Sequence, residues 1–264
     1  MEPAAFYVPV GDGSFDSTPA TAGPWSAGAQ HGGPPSALLA RAFERLQPDP
    51  GQRLARLTVE ILRPIPVERV TVTARVVRAG RRITLLEGSL RAGGEDYLLA
   101  RGWRIARPQV PTPAAGARAG SPPLPGPSPT PAWEGAYIDG YLRAIEVRMT
   151  SGMFAGAGPA AGWFRARIPL VEGEEPSGFQ RTAIVADSGS GVSQGVDYRR
   201  WLAINVELTL SIQRDPAGEW IHLDSRAVVG AEGTGRADTV LGDTEGEFGR
   251  AMQTLLVAPI SGRA

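Results

Sequence analysis

The feature that most constrains the fold is an internal repeat at an offset of 151 residues. Without a gap, this offset places LTVEILRPIPVERVTV, from Leu57, on LTLSIQRDPAGEWIHL, from Leu208. The two copies share their alternation of apolar and polar residues and the positions of their turns. A period this long indicates two duplicated domains rather than a solenoid. The identical pairs include Leu57 and Leu208, Thr58 and Thr209, Ile61 and Ile212, Arg63 and Arg214, Glu68 and Glu219, Arg75 and Arg226, Val77 and Val228, Leu90 and Leu241, and Ala100 and Ala251.

Each copy contains the same order of predicted elements. A helix comes first, GGPPSALLARAFERL in one copy and SGFQRTAIVADSGSG in the other, and an offset of 146 aligns Gly32 with Gly178. Three alternating stretches follow, the last of them a hairpin, and a shorter strand pair precedes each helix. The first helix has leucines and small residues on most faces, which is typical of a helix enclosed by a sheet. We therefore expect two antiparallel sheets, each wrapped around a helix and paired edge to edge.

A proline-rich segment separates the two copies. Nine of the 24 residues from Pro108 to Pro131 are proline. Proline lacks the N–H group and fixes φ, so this segment is neither a helix nor a central strand. The sequence predicts an N-terminal domain over 1–107, a linker over 108–131 and a C-terminal domain over 132–264.

Composition excludes several classes of site. All 27 basic residues are arginine, there is no cysteine, and the formal net charge is zero. Schiff-base lysines, disulfides and thiolate sites are therefore ruled out, and two distant histidines leave little for a metal. No basic run indicates a nucleic-acid groove, and neither a signal peptide nor a membrane-spanning run is visible. We expect a cytoplasmic protein with no cofactor, no metal, and no nucleic-acid or membrane partner.

Several motifs resemble one known family. The stretches QHGGPPSALLARAF, ADSGSGVS, YRRWLAINVELTLSIQR, EWIHLDSRAVVG and GRAMQTLLV are similar to acyl-CoA thioesterase II-like proteins of the thioesterase-like superfamily. The resemblance covers nearly the whole chain except the linker. It implies an α+β double hotdog, in which two tandem repeats each wrap a curved antiparallel sheet around a central helix. It also implies hydrolysis of an acyl-CoA or similar acyl thioester, and with it a place in lipid metabolism.

The resemblance also implies a set of site residues in the second copy. The family uses an Asp, a Gln and a Ser or Thr hydroxyl. Counting back from Arg214 puts Glu207 at the Asp position, and AMQTLL supplies Gln253. Ser225 is the nearest hydroxyl candidate, and Asp187 matches an acid that relatives carry in the helix.

Chemistry gives these residues roles. A carboxylate can accept a proton from water while an amide holds that water in place. Either Glu207 or Asp187 is therefore predicted as the base, with Gln253 orienting the water. The equivalent positions in the first copy hold no such groups: they are Arg56, Arg41 and Gly102.

The helix start after His31 allows two interpretations. N–H groups at a helix start are unpaired and lie at the positive end of the helix dipole, so Gly32 and Gly33 would let a thioester oxygen approach them. In this interpretation Gly33 supplies an oxyanion N–H, and His31, Gly32, Gly33 and Ser225 contact the substrate. In the other, the two glycines form a tight turn into a buried helix and His31 is structural, as His222 is expected to be.

Two functions of other kinds stay open beside hydrolysis by direct water attack. The chain could be a non-catalytic or weakly active double hotdog that binds acyl-CoA or acyl lipids, or a structural partner in a larger biosynthetic complex. A hydratase is disfavoured because neither histidine follows an aspartate at the required spacing. The sequence does not define the acyl chain, the choice between coenzyme A and a carrier-protein arm, or whether the chain forms a homodimer.

Overall fold

The structure is a computed structural model that describes residues 3–110, 112–113, 120–129, 131 and 135–260. The elements of the first copy are β1 (Tyr7–Gly11), β2 (Ser14–Ser17), α1 (Gly33–Arg45), β3 (Gln52–Ile61), β4 (Arg69–Arg78), β5 (Ile83–Ala92) and β6 (Glu95–Ala106). The elements of the second copy are α2 (Tyr141–Ala144), β7 (Ile145–Ser151), β8 (Gly156–Ala157), β9 (Ala160–Ala166), α3 (Gly178–Ala186), α4 (Gly189–Val192), β10 (Ser193–Gln194), β11 (Trp201–Asn205), β12 (Glu207–Ile212), β13 (Ile221–Val229), β14 (Thr234–Asp243) and β15 (Gly246–Pro259).

One large sheet runs through both copies in the order β1-β2-β4-β5-β6-β3-β12-β15-β14-β13-β9-β7, with β11 also beside β15. The antiparallel pair β3–β12 joins the copies, and Thr58 lies opposite Thr209 with 3.1 Å between their hydroxyl oxygens. These two threonines are equivalent at the offset of 151, so a pseudo-twofold axis passes between them. The predicted fold class, an α+β double hotdog, is therefore confirmed.

The two long helices pack against each other inside the sheet. The inward residues of α1 are almost completely buried, among them Leu38, Leu39 and Phe43. The helices are in close contact at Gly33, where an ideal Cβ atom would lie 2.0 Å from the carbonyl oxygen of Ile184. Only glycine permits this distance, so helix packing by itself requires one of the two glycines at the start of α1.

The two copies share a β-bulge. In the first copy, the register of β3 against β6 shifts between Leu54 and Arg56. In the second copy, Val206 interrupts the corresponding strand and divides it into β11 and β12. A bulge places an extra residue opposite the partner strand and so reverses the alternation of the side chains. Asn205 and Glu207 are two residues apart, yet they face opposite sides of the sheet.

The described part of the predicted linker has no regular secondary structure and lies along β7 and β9. Residues 114–119 of the linker and 132–134, where the second domain is predicted to begin, lie outside the described residues, so the domain boundaries stay a prediction. Within the described ranges, no helix has the length and apolar character needed to cross a bilayer. In the described part of the linker, hydrogen bonds join Trp163 Nε1 to the Pro122 carbonyl at 3.2 Å, Arg148 to the Pro125 carbonyl at 2.8 Å, and the Ser128 hydroxyl to the Val147 carbonyl at 2.6 Å.

Candidate active site

A buried polar cluster lies where the start of α1 meets the end of α3. Asp187 ends α3, and its side chain is 5% exposed. The Nδ2 group of Asn205 donates to Asp187 Oδ1 at 2.8 Å, and Nε2 of Gln253 donates to the same oxygen at 3.2 Å. The structure therefore brings together two of the predicted catalytic residues, Asp187 and Gln253, and adds a third residue, Asn205.

The carboxamide of Gln253 is fixed at both ends. Its Nε2 also donates to the backbone carbonyl of Asp187 at 3.0 Å, and its Oε1 accepts the N–H of Ser190 at 2.9 Å. Gln253 is 1% exposed and points inward from β15. Because both donors are used within the protein, this amide orients the Asp187 carboxylate.

Glu207 lies on the opposite face of the sheet. Its Oε1 accepts the N–H of Thr254 at 2.8 Å, and its Oε2 accepts the hydroxyl of Thr209 at 3.0 Å. The expectation that Glu207 meets Gln253 is therefore wrong. The cause is the bulge at Val206, which turns Asn205 inward and Glu207 outward.

His31 contacts the cluster from the loop before α1. Its ring stacks on Tyr141 with the centroids 3.6 Å apart, and its Nδ1 lies 3.2 Å from Asp187 Oδ2. The N–H of Gly33 donates to the same Nδ1 at 3.1 Å. Burial lowers the pKa of His31, and the Asp187 carboxylate partly opposes that shift. Burial raises the pKa of Tyr141, whose hydroxyl bonds the carbonyl of Ile184 at 2.9 Å.

The start of α1 lies next to this carboxylate. Within the described residues, no side chain caps the helix at Gly32, and the Gly32 N–H has no hydrogen-bond partner. An ideal Cβ atom on Gly32 would lie 2.8 Å from Asp187 Oδ2. By contrast, Ser177 caps the start of α3 by accepting the N–H of Gln180 at 3.1 Å. The Gly33 N–H donates to His31 Nδ1, so its expected role as an oxyanion donor requires release of this hydrogen bond and stays a prediction.

Two buried hydroxyl groups lie behind the amide of Gln253. Ser225 and Thr239 face each other from β13 and β14 with 2.9 Å between their oxygens. An ideal Cβ atom on Gly189 would lie 2.5 Å from Thr239 Oγ1, 3.0 Å from Gln253 Oε1 and 3.7 Å from Ser225 Oγ. Sequence reasoning missed Thr239 and Asn205. The available signal was a polar Asn inside the apolar run WLAINV.

In the first copy an aromatic ring fills the corresponding volume. Ideal Cβ atoms on Gly88 and Gly102 would lie 2.9 Å and 2.7 Å from ring carbons of Phe43. The first copy therefore has a large residue on the helix and glycines on the strands, and the second copy has the reverse. The equivalent pairs are Phe43 with Gly189, Gly88 with Thr239, Gly102 with Gln253, Ala74 with Ser225, and Leu54 with Asn205.

Comparisons with known proteins agree with this architecture. Family models match residues 21–105, as an acyl-CoA thioesterase N-terminal domain, and 118–257, as an acyl-CoA thioesterase C-terminal domain. The chain is similar to a hotdog-fold protein of unknown function from Alicyclobacillus acidocaldarius, with 17% identity, a TM-score of 0.72, and coverage of 94% of this chain and 93% of that one. It is also similar to an acyl-CoA thioesterase II from Mycobacterium marinum, with 17% identity, a TM-score of 0.67, and coverage of 98% and 96%. No sequence match was found among curated proteins.

Proposed function

Because the chain belongs to the acyl-CoA thioesterase family, we propose that it hydrolyses an acyl-CoA, or a similar acyl thioester, to a free acid and a thiol by direct attack of water. One observation carries the proposal: the Asp187 carboxylate lies against the start of α1, where an ideal Cβ atom on Gly32 would be 2.8 Å from Oδ2. The absence of cysteine from the sequence fits a route without a thiolate nucleophile.

The proton acceptor in this reaction is Asp187 Oδ2. The other carboxylate oxygen, Oδ1, already accepts hydrogen bonds from Asn205 and Gln253. Oδ2 faces Gly32 and His31, so it is the oxygen available to a water molecule at the helix start. A carboxylate held in one orientation by two amides can remove a proton from such a water as it attacks. In this arrangement Asn205 and Gln253 are positioning residues for Asp187.

The reaction also requires a hydrogen-bond donor for the thioester oxygen, and the free N–H of Gly32 supplies it. A thioester oxygen becomes negatively charged when water adds to its carbonyl carbon, and a helix start stabilises negative charge through its unpaired N–H groups and its dipole. Water that gives a proton to Asp187 Oδ2 adds to the carbonyl carbon, and the tetrahedral intermediate then expels the thiolate, which takes that proton back from Asp187. The proposed oxyanion donor is therefore Gly32.

One observation favours the alternative of an acyl-CoA binder without turnover. Both donors of the Gln253 amide and its oxygen are already paired inside the protein. An amide in this state has less capacity to hold a water molecule for attack. In the binder interpretation the cluster stabilises the helix junction, and the ligand is held without being hydrolysed.

Thiol release from a panel of acyl-CoAs tests the proposal. We expect Asp187→Asn to lower kcat/KM by about 10²–10⁴-fold, because the base is lost while the shape is kept. Glu207→Gln is the matched control and should stay within about twofold of wild type, since its amide oxygen can still accept the Thr254 N–H. Binding without thiol release would establish the binder, and loss of activity in Glu207→Gln alone would refute the assignment of Asp187.

A further inference from the structure

Two contacts of His31 Nδ1 require opposite protonation states. The Gly33 N–H, 3.1 Å away, can donate to Nδ1 only when this nitrogen has a free lone pair. A hydrogen bond from Nδ1 to Asp187 Oδ2, 3.2 Å away, requires a proton on the same nitrogen. The imidazole can therefore pair with the helix start or with the carboxylate, and its protonation decides which.

The surroundings of the ring leave Asp187 as its proton-exchange partner. The imidazole stacks flat on Tyr141, and its side chain is 12% exposed. Asp187 at the end of α3 and Tyr141 in α2 are the ionisable groups that face it among the described residues. The Tyr141 hydroxyl contacts the Ile184 carbonyl and the Ser188 hydroxyl instead, and burial raises its pKa, so it stays protonated.

We propose that His31 is a positioning residue that holds, on Nδ1, the proton which Asp187 Oδ2 takes from the attacking water. The proposal rests on the hydrolysis proposed above. Water loses one O–H bond, its oxygen bonds to the thioester carbon, and the proton passes through Asp187 to His31. When the C–S bond breaks, the same proton returns through Asp187 to the thiolate sulfur, so acid and thiol leave with no net change in the protein.

This transfer has a consequence at the helix start. Once Nδ1 carries the proton, the Gly33 N–H loses its acceptor. A second donor is then released beside Gly32 in the same step that places negative charge on the thioester oxygen. The two functions expected for this stretch, turn formation and oxyanion binding, thus belong to two protonation states of one histidine.

An NMR titration tests the shared proton without any turnover. The chain has two histidines, so ¹⁵N-histidine labelling gives two sets of ring signals, and His31→Asn assigns them. In the wild-type protein at high pH, we expect the neutral His31 ring to carry its one N–H proton on Nε2. In Asp187→Asn the pKa of His31 should fall further, because the carboxylate no longer favours the charged ring. An unchanged pKa in that variant would overturn the proposal.

Kinetics provide the second test. Asn at position 31 can still accept the Gly33 N–H, as it does at helix starts, but it cannot take up a proton. We expect His31→Asn to lower kcat by about 10²-fold, to leave KM within about twofold, and to remove one ionisation from the pH profile. A purely structural histidine would leave the profile unchanged.

The other histidine supplies the control. His222 lies in β13 against Trp163 and 3.3 Å from the Thr150 hydroxyl, away from the site. His222→Asn should keep the wild-type profile, and thermal unfolding should show both variants folded. If the wild-type protein is active and His31→Asn keeps the wild-type pH profile, the role of His31 is refuted while the proposed hydrolysis is not. Absence of thiol release from the wild-type protein would refute the hydrolysis itself.

Discussion

The Asp187 carboxylate lies almost completely out of contact with solvent, and amide donors take the place of water around it. Burial of a carboxylate without such donors is costly. Asn205 provides the shorter of the two hydrogen bonds to Oδ1, at 2.8 Å against 3.2 Å for Gln253. Asn205 therefore contributes to both the orientation of the Asp187 carboxylate, the proposed base, and the stability of the helix junction.

Asn205→Leu tests this contribution by copying the residue at the equivalent position of the first copy, Leu54. We expect kcat/KM to fall at least about tenfold and the free energy of unfolding to fall by about 1–3 kcal/mol, since a buried acceptor loses its partner. Thiol-release kinetics and urea denaturation measure the two effects. The control is Ile204→Ala, on the outer face of the same strand, and full activity in Asn205→Leu would exclude the proposed role.

At the scale of elements, the site depends on the contact between α1 and α3. Gly33 lets the two helices meet, and this contact places the start of α1 against Asp187. The bulge at Val206 then delivers Asn205 to the same point. Neither feature is sufficient by itself, but together they place the start of α1 from one copy beside the Asp187 carboxylate and Asn205 of the other copy.

Gly33→Ala should separate the helices. The new methyl group would lie 2.0 Å from a backbone oxygen, so the main chain has to move. We expect the free energy of unfolding to fall by about 1–3 kcal/mol, as for other overpacked interiors, and activity to fall with it. Gly126→Ala is the control, because its Cβ atom has no neighbour within 4 Å. Equal denaturation midpoints for the two variants would contradict this account of the helix contact.

At the scale of the whole molecule, the two copies have similar backbones but enclose different side chains. The pseudo-twofold axis relates the strands and the bulges, while Phe43 occupies the volume that polar groups occupy in the second copy. The start of α3 is capped by the Ser177 hydroxyl, whereas at the start of α1 the Gly33 N–H is given to His31 and the Gly32 N–H has no partner among the described residues. These differences predict one site per chain.

Calorimetric titration of the wild-type protein with a non-hydrolysable thioether analogue of acyl-CoA measures this number. We expect one binding site per chain, because the Phe43 ring and the Ser177 cap close the equivalent position. Free coenzyme A serves as the competitor that identifies specific binding. Two equal sites per chain would show that the first copy also binds and would contradict the assignment.

Much of the architecture could be predicted from the chain alone. Strand alternation and helical periodicity are local sequence patterns, and the repeat that begins at Leu57 and Leu208 indicates directly that one fold occurs twice. Asp187 and Gln253 were predicted through the family resemblance, and the structure places them within 3.2 Å of each other. These predictions needed no knowledge of how distant segments meet.

Tertiary structure decided the rest, because the deciding contacts join residues far apart in sequence. The directions of Asn205 and Glu207 depend on a bulge, which shifts the register by one residue and which residue types do not identify. The contact of His31 with Asp187 exists only because two helices from different copies cross at Gly33. Periodicity determines which faces are buried, whereas the crossing of elements determines which polar groups come into contact.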